Sequence, residues 1–375
     1  MLENRPLLTI TGFSGSGKTT FIEKLIPALK ARGYFPGYLK HAGWKYDLDV
    51  PGKDSYRQLA AGAVFSSVFT EEKWVFHQLG PMDETFLGSH PQADIIILEG
   101  FKHSDYPKIV SIHPSSGVPD ELSWNHPESA KKEKIWAYLT ADELQANQIN
   151  QLTRQSIAFQ RDHIEKTADH LLHQLTKHCE QSFSLKGAVM IGGKSTRMGK
   201  DKAWLDYGRG AHAHYLFELL AQHPMIQDVV YSGLPKASFP SGLNEEKILQ
   251  DRFVGFGPLG GFLTLFEASP QSAWLVLACD LAKLQEETVE YLIQHRNPLK
   301  MATVFVNDQQ RFEPLAAIYE PHMGLYLKRM LVEGKYSLQR VFSQLPVNKI
   351  TVPLHLQQQL INVNTPQERD HILQR

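Results

Sequence analysis

Near the start of the chain, Gly12-Phe13-Ser14-Gly15-Ser16-Gly17-Lys18-Thr19 meets every fixed position of the pattern G-x-x-x-x-G-K-[ST]. An apolar run, Leu7–Thr11, precedes it. An amphipathic segment follows, with Phe21, Ile22, Leu25, Ile26 and Leu29 on one helical face and Gly33 as a stop signal. A glycine-rich loop between a buried strand and a helix converges backbone N–H groups on phosphate oxygens, and the helix adds its positive dipole end. Lys18 is placed to reach the β- and γ-phosphates, Thr19 to ligate Mg²⁺, and Gly12, Gly15, Gly17 and Thr20 to complete the cradle. The frame requires a mostly parallel sheet with helices on both faces. Further strand-like runs at Ile95–Leu98, Ile109–Ile112 and Ile135–Leu139 agree with that.

A P-loop site also needs an acid at the end of a second buried strand. In Asp94-Ile95-Ile96-Ile97-Leu98-Glu99-Gly100, Glu99 sits at the carboxyl end, where ligands gather in open α/β sheets. It is the metal candidate beside Thr19; an ordinary strand-end acid is the other reading. Asp94 lies at the wrong end and reads as structural. The polar stretch from Lys40-His41 to Lys53-Asp54-Ser55 suits either a nucleotide loop or a solvated one.

At 375 residues the chain is too long for one ordinary core and has room for two. Residues 154–178 read as one long helix with Ile157, Ile164, Leu171, Leu172 and Leu175 as its stripe. A polar stretch at 179–186 reads as a short linker, dividing a domain at 1–178 from one at 187–375. The βα alternation then restarts. Ala188–Ile191 reads as a strand, followed by Gly192-Gly193-Lys194-Ser195-Thr196-Arg197-Met198-Gly199-Lys200-Asp201-Lys202. Small residues at a strand end admit phosphates, and Arg197 and Lys202 add cationic charge. Nucleotidyl transfer needs this, because catalysis there is positioning plus neutralisation of a pyrophosphate leaving group.

The apolar strand Trp274–Cys279 ends in Asp280, a carboxylate placed to hold Mg²⁺ against nucleotide phosphates; a helix-capping role is the alternative. Asp251 opens a glycine-rich segment running to Gly260-Gly261 that suits a purine or ribose contact, or a plain loop and cap. Asn364, in Asn362-Val363-Asn364-Thr365-Pro366, suits a phosphate or metal-shell contact, or a turn. The expected fold is therefore α/β throughout: a P-loop NTPase domain followed by a Rossmann-like nucleotidyltransferase domain, both three-layered with mostly parallel sheets.

The first half resembles the P-loop GTP-binding accessory proteins of molybdopterin guanine dinucleotide biosynthesis, the MobB family. GFSGSGKTT, Lys40-His41, DLDVPGKDSYR with the AGA ending at Ala63, and DIIILEGFK occur in that order over residues 5–178. The resemblance implies GTP binding, weak hydrolysis, assistance to a transferase and a homodimer formed through this domain. The family often carries further histidines after the pair at 40–41, so the role of His41 stays open.

The second half resembles the molybdenum cofactor guanylyltransferases, the MobA family, through GGKSTRMGKDK, GPLGG, ACDL, EPLAAIY and NVNTP over residues 187–375. That implies a multifunctional chain in which GTP and Mo-molybdopterin, with Mg²⁺, give the guanine dinucleotide cofactor and pyrophosphate. By resemblance Gly192, Gly193, Lys202, Asp251 and Asp280 fall on GTP and metal positions, and Arg197 on the signature loop. The product would pass to molybdoenzymes or their chaperones. The family's usual Leu-Ala before Gly-Gly is Met190-Ile191 here, its proline after Cys-Asp-x is Ala282, and its asparagine at the end of the second strand is absent from Tyr231-Ser232-Gly233.

Composition removes several alternatives. The net charge of −1 gives no basic field for nucleic acid. Two cysteines, Cys179 and Cys279, make no disulfide framework or zinc motif and suit a cytoplasmic protein. No run of 18 apolar residues predicts a membrane span. The readings left open are a cytidylyltransferase of the same cofactor, a sugar-1-phosphate nucleotidyltransferase, a first half serving purely as adaptor, and a small-molecule kinase. A sugar-1-phosphate enzyme usually has proline before its signature lysine, where this chain has Asp201.

Overall fold

The computed structural model describes residues 4–41, 54–63, 65–70, 73–78, 90, 92–113, 135–152, 157–191, 202–233, 244–334, 337–363 and 367–368. The first sheet holds six strands: β1 (Leu7–Gly12), β2 (Pro36–Lys40), β5 (Ile95–Glu99), β6 (Lys108–Ser111), β7 (Ile135–Thr140) and β8 (Ile157–Gln160). Their order is β2-β5-β1-β6-β7-β8, and every pairing is parallel. The central strands β1 and β5 are buried at every residue, which is why they read as unbroken apolar runs. A hairpin of β3 (Phe65–Phe69) and β4 (Trp74–Gln78) follows helix α2 (Asp54–Ala60) and forms its own two-stranded sheet.

Helix α1 (Lys18–Ala31) buries Phe21, Ile22, Leu25, Ala28 and Leu29. They pack in one cluster with Leu8 and Ile10 of β1, and with Leu171 and Leu175 of helix α4 (Ile164–Ser182). Burying a Leu or Phe side chain contributes roughly 1.5–3 kcal/mol, so this stripe commits the segment to the sheet. Helix α3 (Glu143–Leu152) covers the far edge, burying Ala146 and Ile149 in a cluster with Val110 and Tyr138.

The helix expected over 154–178 begins only at Ile164, and Ile157 belongs to β8 instead. The reason is local. The Asn150 side chain accepts from the Ala158 N–H (2.6 Å) and donates to the Ala158 carbonyl (3.2 Å), holding that stretch extended beside β7. The stretch 179–186, expected as a linker, is the last turn of α4, two residues (Phe183 and Ser184) and the start of β9 (Leu185–Met190). Phe183 is buried in the first core, so the junction is packed and not a tether.

The second sheet has seven strands in the order β11-β10-β9-β12-β14-β13-β15. They are β9, β10 (Ile226–Gly233), β11 (Ile248–Gln250), β12 (Ala273–Ala278), β13 (Ala302–Val306), β14 (Phe312–Tyr319) and β15 (Asn348–Thr351). Only β14 runs antiparallel to its neighbours. Helices α5 (His212–Ala221) and α7 (Glu286–Gln294) lie on one face, and α6 (Pro258–Ala268), α8 (Met323–Val332) and α9 (Leu338–Phe342) on the other. Helix α6 buries nearly its whole length, from Leu259 to Phe266. Both sheets therefore sit between helical layers, as the alternation required. Among the described residues no helix is long and apolar enough to cross a membrane.

Candidate functional sites

Each domain gathers its chemistry at the carboxyl edge of its sheet. In the first, Gly12 ends β1, Gly15 lies in the loop facing His113, and Lys18 and Thr19 open α1. Thr20 is exposed on the same first turn. Gly17 adopts φ +80°, which a side chain resists, and a Cβ there would sit 2.1 Å from Nη1 of Arg161. The Arg161 guanidinium fills that space and donates to the Ser16 carbonyl at 2.5 Å and to the Thr140 carbonyl at 3.0 Å. Ser111 also donates to the Ser16 carbonyl, at 2.6 Å. The loop is thus held from β6 and from the turn after β8.

Thr19 Oγ1 donates to Glu99 Oε1 at 3.1 Å, so the two expected metal residues meet. Glu99 is 4% exposed and also accepts from Tyr38 Oη at 2.6 Å, with Lys40 Nζ at 3.2 Å. Burial pushes the Glu99 carboxyl up. The hydrogen bonds from Tyr38, Lys40 and Thr19, with the Lys40 charge, outweigh it and hold the carboxyl below its usual value. Lys18 Nζ folds back on the Phe13 carbonyl at 2.6 Å. Burial lowers its pKa, as do the charges of Lys102 and Lys40, against the pull of Glu99. A site so crowded with ammonium groups favours a polyanion. Just past Glu99, Phe101 takes φ +36°, a strained conformation of the kind that collects at functional sites. The 42–53 part of the polar loop lies outside the described residues.

In the second domain, Asp280 lies in the turn that closes β12, where Leu281 N–H bonds the Ala278 carbonyl. Its own carbonyl accepts from Val363 N–H at 2.8 Å, tying the carboxyl-terminal strap to the metal candidate. Asp251 follows β11. Its N–H bonds the Gly233 carbonyl at 2.8 Å and its carboxylate accepts from Ser232 Oγ at 3.3 Å. Burial raises the Asp251 carboxyl, with the Ser232 bond opposing. Ser232 therefore stands, bonded to Asp251, in the stretch where an asparagine was missing.

Gly260 and Gly261 admit close approach, but by the chain itself. A Cβ on Gly260 would lie 2.1 Å from the Phe253 carbonyl oxygen, and one on Gly261 2.2 Å from Met190 Cε. Gly260 thus seats the 251–257 loop on α6. Gly192, Gly193, Arg197 and Asn364 lie outside the described residues, as does the side chain of Lys202, whose backbone opens a short 3₁₀ turn.

A protein-family model for molybdopterin guanine dinucleotide synthesis protein B (MobB) matches residues 7–130. The adapter protein of molybdopterin-guanine dinucleotide biosynthesis from Escherichia coli (strain K12) is 43% identical over 125 residues, 31% of this chain and 71% of that protein. The first domain belongs to the MobB family. Residues 187–349 match the MobA-like NTP transferase domain, so the MobB domain is joined to a MobA-like one in a single chain. The molybdenum cofactor biosynthesis bifunctional protein of Synechocystis sp. is 38% identical over 138 residues, but these cover only 39% of that protein and 36% of this chain. A probable molybdenum cofactor guanylyltransferase of Geobacillus sp. is 25% identical over 196 residues, 50% of this chain and 98% of that protein.

In the MobB domain, sequence reasoning missed Tyr38 and Arg161. Tyr38 sits in β2, too short and half-buried to carry a clear period. Arg161 acts from beyond β8, a stretch whose apolar spacing reads as helix in the sequence. In the MobA-like domain it missed Glu313, quoted only as part of a family motif. Glu313 accepts from Asn362 Nδ2 at 3.3 Å. Burial raises its carboxyl, against the hydrogen bonds from the Leu315 N–H and Asn362, and the Asp280 charge adds to the rise. His212, buried under Asp280's turn, has a ring nitrogen 3.1 Å from the Leu281 carbonyl; burial lowers its pKa to about 4, so the ring is neutral.

Proposed function

We propose that the MobA-like domain transfers GMP from GTP to Mo-molybdopterin, giving the guanine dinucleotide cofactor and pyrophosphate. The MobB domain binds a second GTP, hydrolyses it weakly and assists. The observation that carries this reading is the placement of Asp280, Asp251 and the carboxyl end of β9 on one sheet edge, within a MobA-like domain. In the transfer, a phosphate oxygen of molybdopterin attacks the α-phosphorus of GTP. The bond to the β-phosphate breaks and pyrophosphate leaves with its electron pair. The chain's task is orientation and charge stabilisation, for which Arg197 and Lys202 supply cations and Asp251 a base or ribose contact.

Both sites fit Mg²⁺, a hard cation that takes oxygen ligands. Thr19 and Glu99 offer a hydroxyl and a carboxylate side by side, and Asp280 a carboxylate in the turn that closes β12. The ion supplies neutralisation of phosphate charge. Gly12, Gly15, Gly17, Lys18 and Thr20 cradle the first nucleotide; Gly192, Gly193 and Asn364 serve the second, and Gly260 supports it by holding the Asp251 loop. The two roles divide at residues 179–186. The protein works in the cytoplasm, dimerises through its first domain and passes product to molybdoenzymes or their chaperones.

The test is pyrophosphate release from GTP, CTP and ATP with Mg²⁺, with and without Mo-molybdopterin. Release that needs both GTP and the cofactor is the expected result. Release with CTP alone would move the enzyme to cytidylyl transfer.

A further inference from the structure

Where the two domains meet, the contacts come from one end of each sheet. From the MobB domain they are Asn4 before β1, Gly33 to Phe35 before β2, and Asp94 before β5. All precede parallel strands and so lie at the amino edge, opposite the P-loop. From the MobA-like domain they are Pro270 before β12 and Asn297, Leu299 and Lys300 before β13. These too lie at the edge opposite Asp280. The two sheets meet back to back, each with its nucleotide end outward.

At the centre of the contact is Lys300, whose side chain is 12% exposed. Its ammonium donates to the Gly33 carbonyl at 2.6 Å and to Asp94 Oδ2 at 2.8 Å, and lies 4.5 Å from the Tyr34 ring centroid. Asp94 is fully buried as a side chain and also accepts from Phe35 N–H at 2.9 Å. Beside it, Asn297 Nδ2 donates to Tyr34 Oη at 3.2 Å, and Leu299, fully buried, packs within the core cluster of the MobB domain. Asn4 reaches the Pro270 carbonyl at 3.0 Å. Arg296 makes a two-pronged pair with Glu320 at 2.8 and 2.9 Å and donates to the Phe183 carbonyl at 3.2 Å, clamping the junction itself. A buried ammonium with two oxygen partners, a buried leucine in the other domain's core and a two-residue junction are features of a fixed interface, not of tethered domains.

We propose that Lys300 is the peg of a permanent interdomain dock that holds the two nucleotide sites at opposite poles of one rigid body. Helix α1, 14 residues long, runs from the P-loop to the dock and spans about 21 Å. Strand β12, six residues long, runs from the dock to Asp280 and spans about 20 Å. The two sites of one chain are therefore roughly 40 Å apart and face away from each other. A nucleotide or side chain at the P-loop does not enter the transfer site of its own chain. Both poles can be occupied at once, and any direct contact between a P-loop and a transfer site is between two chains.

The experiment uses the full chain with spin labels at His103→Cys, near the P-loop pole, and Glu286→Cys, near the Asp280 pole; both positions are exposed. The native cysteines are buried, which keeps labelling confined to the new ones. Pulsed dipolar spectroscopy should give one narrow distribution, centred at roughly 40 Å or beyond. Calorimetry should show one cooperative transition. Lys300→Met should broaden the distribution and split or lower the transition, and Lys300→Arg should recover part of the loss. A centre below about 30 Å, or a broad distribution in the parent chain, would overturn the back-to-back dock. A Lys300→Met chain identical to the parent in both readouts would remove Lys300 as its peg. None of these readouts depends on guanylyl transfer, so the dock and the catalytic reading fail separately.

Discussion

At the scale of single residues, the P-loop is fixed by side chains far from it in the chain, Ser111 and Arg161. Thr19 and Glu99 meet as expected, since one follows β1 and the other ends the neighbouring β5. What holds the loop was not legible. Arg161 is 142 positions beyond Thr19 and has no pattern of its own. It donates to two carbonyls, at Ser16 and Thr140, and it fills the space beside Gly17. A hydrogen bond from a charged donor contributes about 1.5–3 kcal/mol where it is sheltered, and Arg161 is partly exposed, so the lower end applies. Arg161→Met should weaken GTP binding at the P-loop several-fold while lowering the unfolding midpoint only slightly. Titration of the variant with a fluorescent GTP analogue checks this. Unchanged affinity would make Arg161 a surface residue that merely rests on the loop.

At the scale of elements, β1, β5, β7 and α1 were legible to within a residue, because each is an unbroken apolar run or a clean apolar stripe. The failures were where a tertiary contact overrides the local pattern. Strand β8 is extended because Asn150 clamps Ala158, a partner that periodicity does not reveal. Strand β14 runs against its neighbours, and its direction depends on which strand it pairs with rather than on its own residues. The Asp251 segment looked like a ligand loop because of its glycines, yet Gly260 is needed for the chain to approach itself. Gly260→Ala puts a Cβ on a backbone carbonyl, which yields only if the 251–257 loop shifts. Overpacking of this kind costs typically 1–3 kcal/mol. The variant should show a lower unfolding temperature together with a higher KM for GTP, as Asp251 moves with the loop. A stability loss without any KM change would separate the loop from the nucleotide.

At the scale of the molecule, the dock carries the buried charges and so sets part of the pH response. His322 is fully buried; burial and then the Arg5 charge lower its pKa to about 3. The unfolded chain protonates this ring near the ordinary value of 6.5, well before the folded one does. Its contribution to stability is therefore complete above pH 6.5 and is lost as pH falls toward 3. Asp94 acts in the opposite sense. Burial raises it to about 6, against the pull of Lys300, so the folded state takes up its proton first and gains between pH 6 and 3.8. Replacing His322 by Gln should shrink the loss of stability between pH 6.5 and 4, measured as the urea midpoint of parent and variant at each pH. Parallel curves would show that His322 is protonated in the folded chain. The two-domain order itself was legible, because two glycine-rich loops each follow a buried strand. The back-to-back docking was not, since Lys300 and Asp94 lie 206 positions apart.

Guanylyl transfer is proposed at the Asp280 edge of the second domain. The most direct measurement is transfer of label from α-labelled GTP to molybdopterin by the full chain and by Asp280→Asn. The parent chain should give labelled dinucleotide cofactor, and the folded variant should lose at least about a hundredfold, the scale expected when one charge-organising group is removed. Undiminished transfer by Asp280→Asn would place the chemistry elsewhere and contradict the proposal.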